Sequence, residues 1–597
     1  MIKYFAKVWY ILKGSRKKLP WLLLLFILSS VLEALGIGLI GPFLSIAQQP
    51  ERIHEIPLLN WVYLQLDLQS SSQFIPVLGL FIAVVFCLKS ILYFFSEKNI
   101  FRFGFNQKGH LISKLFGVYL SVPYIFYLRK NTASIIKNTI VETENFTIQC
   151  LLPLLKAIAN LTVVFVLVLL LATTDLLLFV IIIGIFLPTF LIFYKLKKQF
   201  KKWGKQVSQS SQEIIRILNH GLGSVKDTRV IGCEPYFQEQ MQQQVQKFAN
   251  AATSAKSFQK LPRIVIETCL ILFLVLFISI YQIFFEQSLQ DLISILAVFA
   301  VAAIRLIPAA SISIQAMGQM QNASYSVDML YLDLKEIENQ GEIKHPVHSS
   351  AIGNLDSYPS SVNPTLTFIN HVELSNVVYR YPGASEAALD NISLTIQKGQ
   401  SIALIGKSGA GKTTLVDVIL GLLELESGDI LVDDVSIYKD IRSWQNLIGY
   451  IPQSIFLMDE TIERNIAFGV PDYLIDAERM NKAIQAAQLT ELIEQLPNGI
   501  KTTVGERGIR LSGGQRQRIG IARVLYHERE ILVLDEATSA LDNETEKLVS
   551  EAIKSLSGTK TMIIIAHRLT TVEHCDCIYL LEKGRLVKSG TYQEVVG

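Results

Sequence analysis

The chain has 597 residues, half of them hydrophobic, with 55 Lys and Arg against 52 Asp and Glu. That length argues against a single compact domain, and so large an apolar share exceeds what a soluble protein of this size needs, which points to a membrane. A net charge of +3 is too small to indicate a partner and gives no reason to expect nucleic acid.

Residues 1–18 carry Lys3, Lys7, Lys13, Arg16, Lys17 and Lys18 and no acid. Apolar runs of membrane-crossing length then recur near 19–47, 74–96, 150–173, 175–195, 264–285 and 289–312. A second basic cluster, Lys195, Lys197, Lys198, Lys201, Lys202 and Lys205, follows the fourth run. The segments after runs one, three and five hold Glu51, Glu55, Asp67, Asp175 and Glu286 with little basic charge. By the positive-inside rule this places both termini in the cytoplasm. The stretches 97–149 and 196–261 are long and rich in helix formers, and are read as helices continuing out of the membrane. Between the first two runs, Ile56 to Leu66 is amphipathic, and Trp61 and Tyr63 suit a membrane interface.

Residues 339–366 are rich in Ser, Pro, Asn and Gly and form a linker. From 367 onward short β-like runs alternate with helical runs, the pattern of an α/β domain. The expected architecture is an all-α six-helix transmembrane domain over 1–338, the linker, and an α/β domain over 367–597, which the motifs that follow make a P-loop ATPase domain.

Ile402 to Ile405 is a short buried-strand pattern, followed by Gly406-Lys-Ser-Gly-Ala-Gly-Lys-Thr413 and an apolar helix. In that setting G-x-x-x-x-G-K-T is a phosphate loop. Backbone N–H groups from Gly406, Ser408, Gly409 and Gly411 turn toward a phosphate, and the helix carrying Thr413 and Thr414 directs its positive end at the same anion. Lys412 supplies a point charge to the outer phosphates, and the Thr413 hydroxyl suits Mg²⁺. A second apolar run, Ile531 to Leu534, ends in Asp535-Glu536. An Asp at a strand tip beside a phosphate loop suits Mg²⁺, and Glu536 is placed to orient and deprotonate a water. Leu511-Ser-Gly-Gly-Gln515 precedes a helical run, and Ser512, Gly513, Gly514 and Gln515 form a second anion cradle.

The Leu511–Gln515 pentapeptide resembles the signature of ABC transporters, and other landmarks of that family match in order. Tyr381 resembles the aromatic that stacks on adenine, and Gln453 the glutamine that senses Mg²⁺. Ser539 to Asp542 resembles the D-loop, His567 the switch histidine at the γ-phosphate, and Val504 to Gly508 the segment found in exporters. The likeness covers the whole chain: six spans, long cytoplasmic helices and a C-terminal ATPase resemble exporters with six helices per half. Val122 to Phe126 and Val225 to Val230 sit where that family has coupling helices. The resemblance implies ATP and Mg²⁺ as cofactors and a second identical subunit. Each of two ATP molecules would be clamped between one copy's phosphate loop and the other's Ser512 and Gly514.

Charged residues inside spans are the clue to the cargo, because each is costly unless solvated or paired. Glu33, Lys89, Lys156, Arg263, Glu267 and Arg305 qualify, four basic to two acidic. A cavity lined by them suits an anionic head group, and internal ion pairing is the equal alternative. Arg305, shortly before Pro308, is the preferred contact, with Lys89, Arg263 and Glu33 as further candidates. Leu32 to Ile46 together with Arg305-Leu-Ile-Pro308 resembles bacterial flippases of lipid-linked oligosaccharides and related polysaccharide exporters, which implies a polyprenyl-pyrophosphate or similar glycolipid and a bacterial inner membrane. A broad lipid or multidrug exporter, and a non-pumping ATP-gated channel, are the other readings. Six cysteines without zinc spacing read as free thiols.

Overall fold

The computed structural model describes residues 2–38, 43, 46, 61, 63–65, 71–174, 176–284, 289–340, 366–535, 543–565 and 572–596. It divides into two units: Met1–Val122 with Phe126–Val347, and Pro123–Ile125 with His348–Gly597.

The first unit is helical. Helix α1 (Ile2–Ile11) leads into α2 (Leu19–Gly38), then α3 (Ser71–Ser121), α4 (Leu152–Thr174), α5 (Leu176–Gly223), α6 (Glu234–Phe284), α7 (Leu289–Asn322) and α8 (Ser324–Gln340). Among the described residues, the six apolar runs read from the sequence fall in order mainly on α2 to α7, with Cys150 and Leu151 in the turn just before α4. Among the described residues, Phe74–Ser121 and Ser134–Leu169 contain stretches long and apolar enough to cross a membrane. Helices α3 and α6 each have 51 residues, about 75 Å at 1.5 Å per residue, well beyond a bilayer core of about 30 Å. The excess is the extension expected from the polar sequence after Glu97 and before Leu261. Of the segment 56–66, only Trp61 and 63–65 lie among the described residues; they are helical, and the Tyr63 ring meets Phe74 edge-on at 6.0 Å.

Buried charges in this unit are paired, as burial demands. Asp333 on α8 accepts from Tyr119 Oη at 2.6 Å, Asn138 Nδ2 at 2.7 Å and Lys130 Nζ at 3.0 Å. Glu142 pairs with Lys137 at 3.0 Å and accepts from the Ser208 hydroxyl at 2.7 Å and from Ser326. These bonds fasten α8 to α3, α5 and the helical stretch between α3 and α4.

The second unit holds two sheets. The strands are β1 (His371–Tyr379), β2 (Leu389–Gln397), β3 (Ser401–Ile405), β4 (Ser427–Val432), β5 (Val435–Ser436), β6 (Ile448–Ile451), β7 (Ile531–Asp535), β8 (Thr561–Ile565), β9 (Cys577–Glu582) and β10 (Arg585–Gly590). The antiparallel sheet runs β2-β1-β4-β5, and the larger one β10-β9-β3-β8-β7-β6. In the larger sheet only β10 is antiparallel to its neighbour. Strands β3, β7 and β8 are buried along their whole length, so they read as unbroken apolar runs. Their residues divide by parity: Ala403, Leu532, Leu534 and Ile564 join one core, and Ile402, Leu404, Val533 and Ile563 the other. Strand β1 alternates buried and more open positions, as an antiparallel strand with one covered face should.

Candidate nucleotide site

The parallel strands all end on one edge of the larger sheet. The phosphate loop leaves β3 there, Gln453 follows β6, and Asp535 closes β7, with β8 lying between β3 and β7. Open parallel sheets bind ligands at this edge.

The loop needs its glycines. Gly411 has φ +102°, and a Cβ there would lie 2.9 Å from the Ala388 carbonyl oxygen. At Gly406 a Cβ would come within 2.3 Å of the Leu581 carbonyl oxygen. Helix α9 (Lys412–Ile419) begins directly after, with no side-chain cap on its first turn, so its N-terminal amide groups are set toward the loop. Lys412 is 6% exposed and lies back over the loop, its Nζ donating to the carbonyls of Gly406 at 2.7 Å and Lys407 at 3.1 Å. Ser408, Gly409 and Thr413 are exposed, while Thr414 is buried and shares a 3.1 Å hydrogen bond with the Tyr381 hydroxyl. Tyr381, distant in sequence, is thereby held against the phosphate-loop helix.

Asp535 is buried at the strand end and accepts from the Tyr450 hydroxyl at 3.3 Å. Burial, and then the nearby Asp535 carboxylate, push Asp417 on α9 up to about 6. Burial and the same carboxylate also raise the Tyr450 hydroxyl. Two carboxylates gathered beside an anion cradle make a setting that a divalent cation would relieve.

The second cradle is the start of α10 (Gly513–Tyr526). The Ser512 hydroxyl accepts from Gln515 N at 3.2 Å, and the Gln515 side chain accepts from Ser512 N at 2.9 Å. This reciprocal capping fixes the turn that carries Gly513 and Gly514. From the same helix, Gln517 Nε2 donates to the Gln453 carbonyl at 3.2 Å, tying the segment after β6 to the second cradle. Sequence motifs do not mark Asp417, Tyr450 or Gln517. Each would have needed the strand order to be noticed, since they reach the site across β6, β7 and α9. Glu536, Ser539 to Asp542 and His567 lie outside the described residues.

The charges inside the spans are largely matched. Lys89 meets Glu33 at 2.9 Å, Lys156 meets Glu97 at 2.8 Å, and Arg263 meets Glu267 at 2.6 Å. Glu97, just beyond the second run, supplies the third acid. Arg305 falls within α7, and its side chain lies outside the described set.

A family model described as "ABC transporter" matches residues 389–539. The ATP-dependent lipid A-core flippase of Cupriavidus metallidurans is 30% identical over 492 residues, covering 81% of this chain and 79% of its own. The chain belongs to the ABC transporters. The corresponding flippase of Shewanella oneidensis is 41% identical over 247 residues, 40% of this chain and 41% of its own. A solved bacterial Atm1-family ABC exporter with ATP bound has the same fold, with a TM-score of 0.70 at 20% identity over 95% of this chain and 96% of its own. This ABC transporter therefore combines a helical membrane domain with a nucleotide-binding ATPase domain and couples ATP hydrolysis to transport.

Proposed function

We propose that this ABC transporter is a half-transporter that works as a homodimer and moves a lipid-linked glycan, or a glycolipid of similar build, out of the inner leaflet of a bacterial inner membrane. The observation that carries the ATP half is the shared sheet edge, where Lys412, Asp535 and the segment of Gln453 meet a glycine-built cradle. We assign the outer phosphates to Lys412 and the backbone of Gly406 to Thr414, the adenine to Tyr381, and Mg²⁺ to Thr413, Gln453 and Asp535. Mg²⁺ bound there would draw charge off the outer phosphates. Glu536 is the general base and His567 contacts the γ-phosphate.

One chain carries one phosphate loop and one Ser512 cradle, which supports two copies completing each other's sites. The tip of the α5–α6 pair supports the same reading: Leu222, Val225, Val230, Ile231 and Tyr236 stand exposed on the single chain, and so much apolar surface calls for a cover.

The relatives' name, lipid A-core flippase, supports a lipid cargo. With Lys89, Lys156 and Arg263 held by carboxylates, Arg305 is the cation of the span set assigned to an anionic head group. The test is a proteoliposome assay of ATP hydrolysis and flipping with a polyprenyl-pyrophosphate glycan, an ordinary phospholipid and an amphipathic drug. Arg305→Ala should lower glycolipid flipping about tenfold or more, as loss of one charged contact does, and leave basal hydrolysis in place. Undiminished flipping would remove Arg305 from the cargo site. Equal transport of all three compounds would favour a broad exporter.

A further inference from the structure

We infer that helix α1 and the turn after it form a docking surface for anionic phospholipid head groups. Helix α1 is apolar on two sides. On the inner side Val8 and Ile11 are buried with Leu12, and the Tyr4 hydroxyl donates to the Met320 carbonyl at 2.8 Å, which seats the helix against α7. On the outer side Ile2, Phe5 and Trp9 share one stripe by their helical spacing and remain exposed, Ile2 at 88% and Trp9 at 52%. An apolar stripe on a helix already docked by its opposite face has no role in that docking.

Residues 1–18 contribute cations and no acid. Of the six cations in residues 1–18, Lys7 is matched by Asp328 at 2.6 Å. Lys3, Lys17 and Lys18 are exposed. The Arg16 guanidinium lies over the Trp9 ring at 4.7 Å and donates to the Trp9 carbonyl at 2.6 and 3.1 Å, so a cation is pinned at the border of the stripe. The chain passes from this turn directly into α2, whose Trp21, Leu24, Ile27 and Leu28 are exposed apolar residues at the start of the first apolar run.

These features choose the occupant. A cation-bordered apolar stripe leading into that apolar run fits the interface of a bilayer, with Phe5 and Trp9 at the acyl boundary and Lys3, Lys17 and Lys18 among the phosphates. A second copy laid on the same stripe would bring like charges face to face. A zwitterionic bilayer would cover the stripe but leave the cations unmatched, so phosphatidylglycerol and similar lipids are favoured.

The test uses the full chain in nanodiscs of phosphatidylethanolamine with increasing phosphatidylglycerol. Native mass spectrometry reads retained lipid, and quenching by head-group-proximal brominated lipid reads Trp9 as the difference between wild type and Trp9→Phe. Wild type should retain phosphatidylglycerol at least about threefold over its bulk share, and K3Q/K17Q/K18Q should lose most of that preference while K3R/K17R/K18R keeps it. Equal preference in wild type and the glutamine variant, or no quenching of Trp9, overturns the inference. Should the glutamine variant fail to fold, a preference in wild type that survives about 0.5 M salt does the same. Cross-linking between Phe5→Cys copies in place of lipid quenching would assign the stripe to a second copy and also overturn it.

Discussion

Glu536 follows the last residue of a strand whose position is fixed by burial along its whole length, with Asp535 hydrogen-bonded to Tyr450. That placement makes a sharp prediction at the scale of one atom exchange. Glu536→Gln keeps size but removes the proposed base, so ATP binding should persist while phosphate release falls about 100-fold or more. Filter binding and a phosphate-release assay read the two quantities separately. Unchanged release would reassign the base. Cys575 offers a different single-residue check. Its thiol is pushed up to about 12 by burial, then by Asp576 and the neighbouring Cys577. Only the thiolate attacks an alkylating agent, so at pH 8 the folded protein should label at Cys575 about a thousandfold more slowly than the unfolded chain, against an ordinary thiol near 8.5. Native labelling should then quicken as pH rises. Equal rates in the folded and unfolded protein would show that the thiol is neither shielded nor shifted.

Between elements, α2 and α3 are joined by Glu33 and Lys89, whose side chains are 2% and 17% exposed. Removing one member of a buried pair leaves an uncompensated charge and costs about 3–5 kcal/mol, whereas removing both is far milder. Lys89→Met should therefore lower the melting temperature more than Glu33→Gln/Lys89→Met does. If both variants melt like wild type and lose flipping instead, the two residues serve the cargo and not the helix pair. The elements themselves were largely legible. Unbroken apolar runs mark β3, β7 and β8, and the S-x-x-Q spacing of Ser512 and Gln515 is that of a capping box. The six apolar runs and the polar extensions of α3, α5 and α6 were legible for the same reason, since hydropathy records solvent. What stayed hidden are the buried polar clasps. Lys137 and Glu142 are five apart, a spacing that puts them on different faces of an α-helix. They meet because Asn138–Glu142 forms a π-turn that adds a residue to the repeat. Asp333 likewise reads as a surface charge until Tyr119, Lys130 and Asn138 converge on it from elsewhere in the chain.

At the scale of the whole molecule, the proposed division of one catalytic site between two chains would have a consequence that no single-chain site shares. Lys412→Ala removes the phosphate-loop charge, and Ser512→Arg fills the second cradle with a bulky cation where a small hydroxyl caps α10. Each variant alone should be inactive, because both sites of its homodimer carry the defect. Mixed dimers differ. The Ser512→Arg chain brings an intact phosphate loop to the intact Ser512 cradle of the Lys412→Ala chain, which rebuilds one site, while the other site collects both lesions. In a 1:1 mixture about half the dimers are mixed, so hydrolysis should return to roughly a quarter of the two-site rate if the sites act independently, and to less if they must fire together. Subunits exchanged in detergent before reconstitution, with phosphate release measured before and after mixing, read this directly. Sites held wholly within one chain allow no such recovery, since every phosphate loop or every cradle would still be defective where it is needed. A strictly monomeric preparation hydrolysing at the full rate would likewise rule out a site shared between copies.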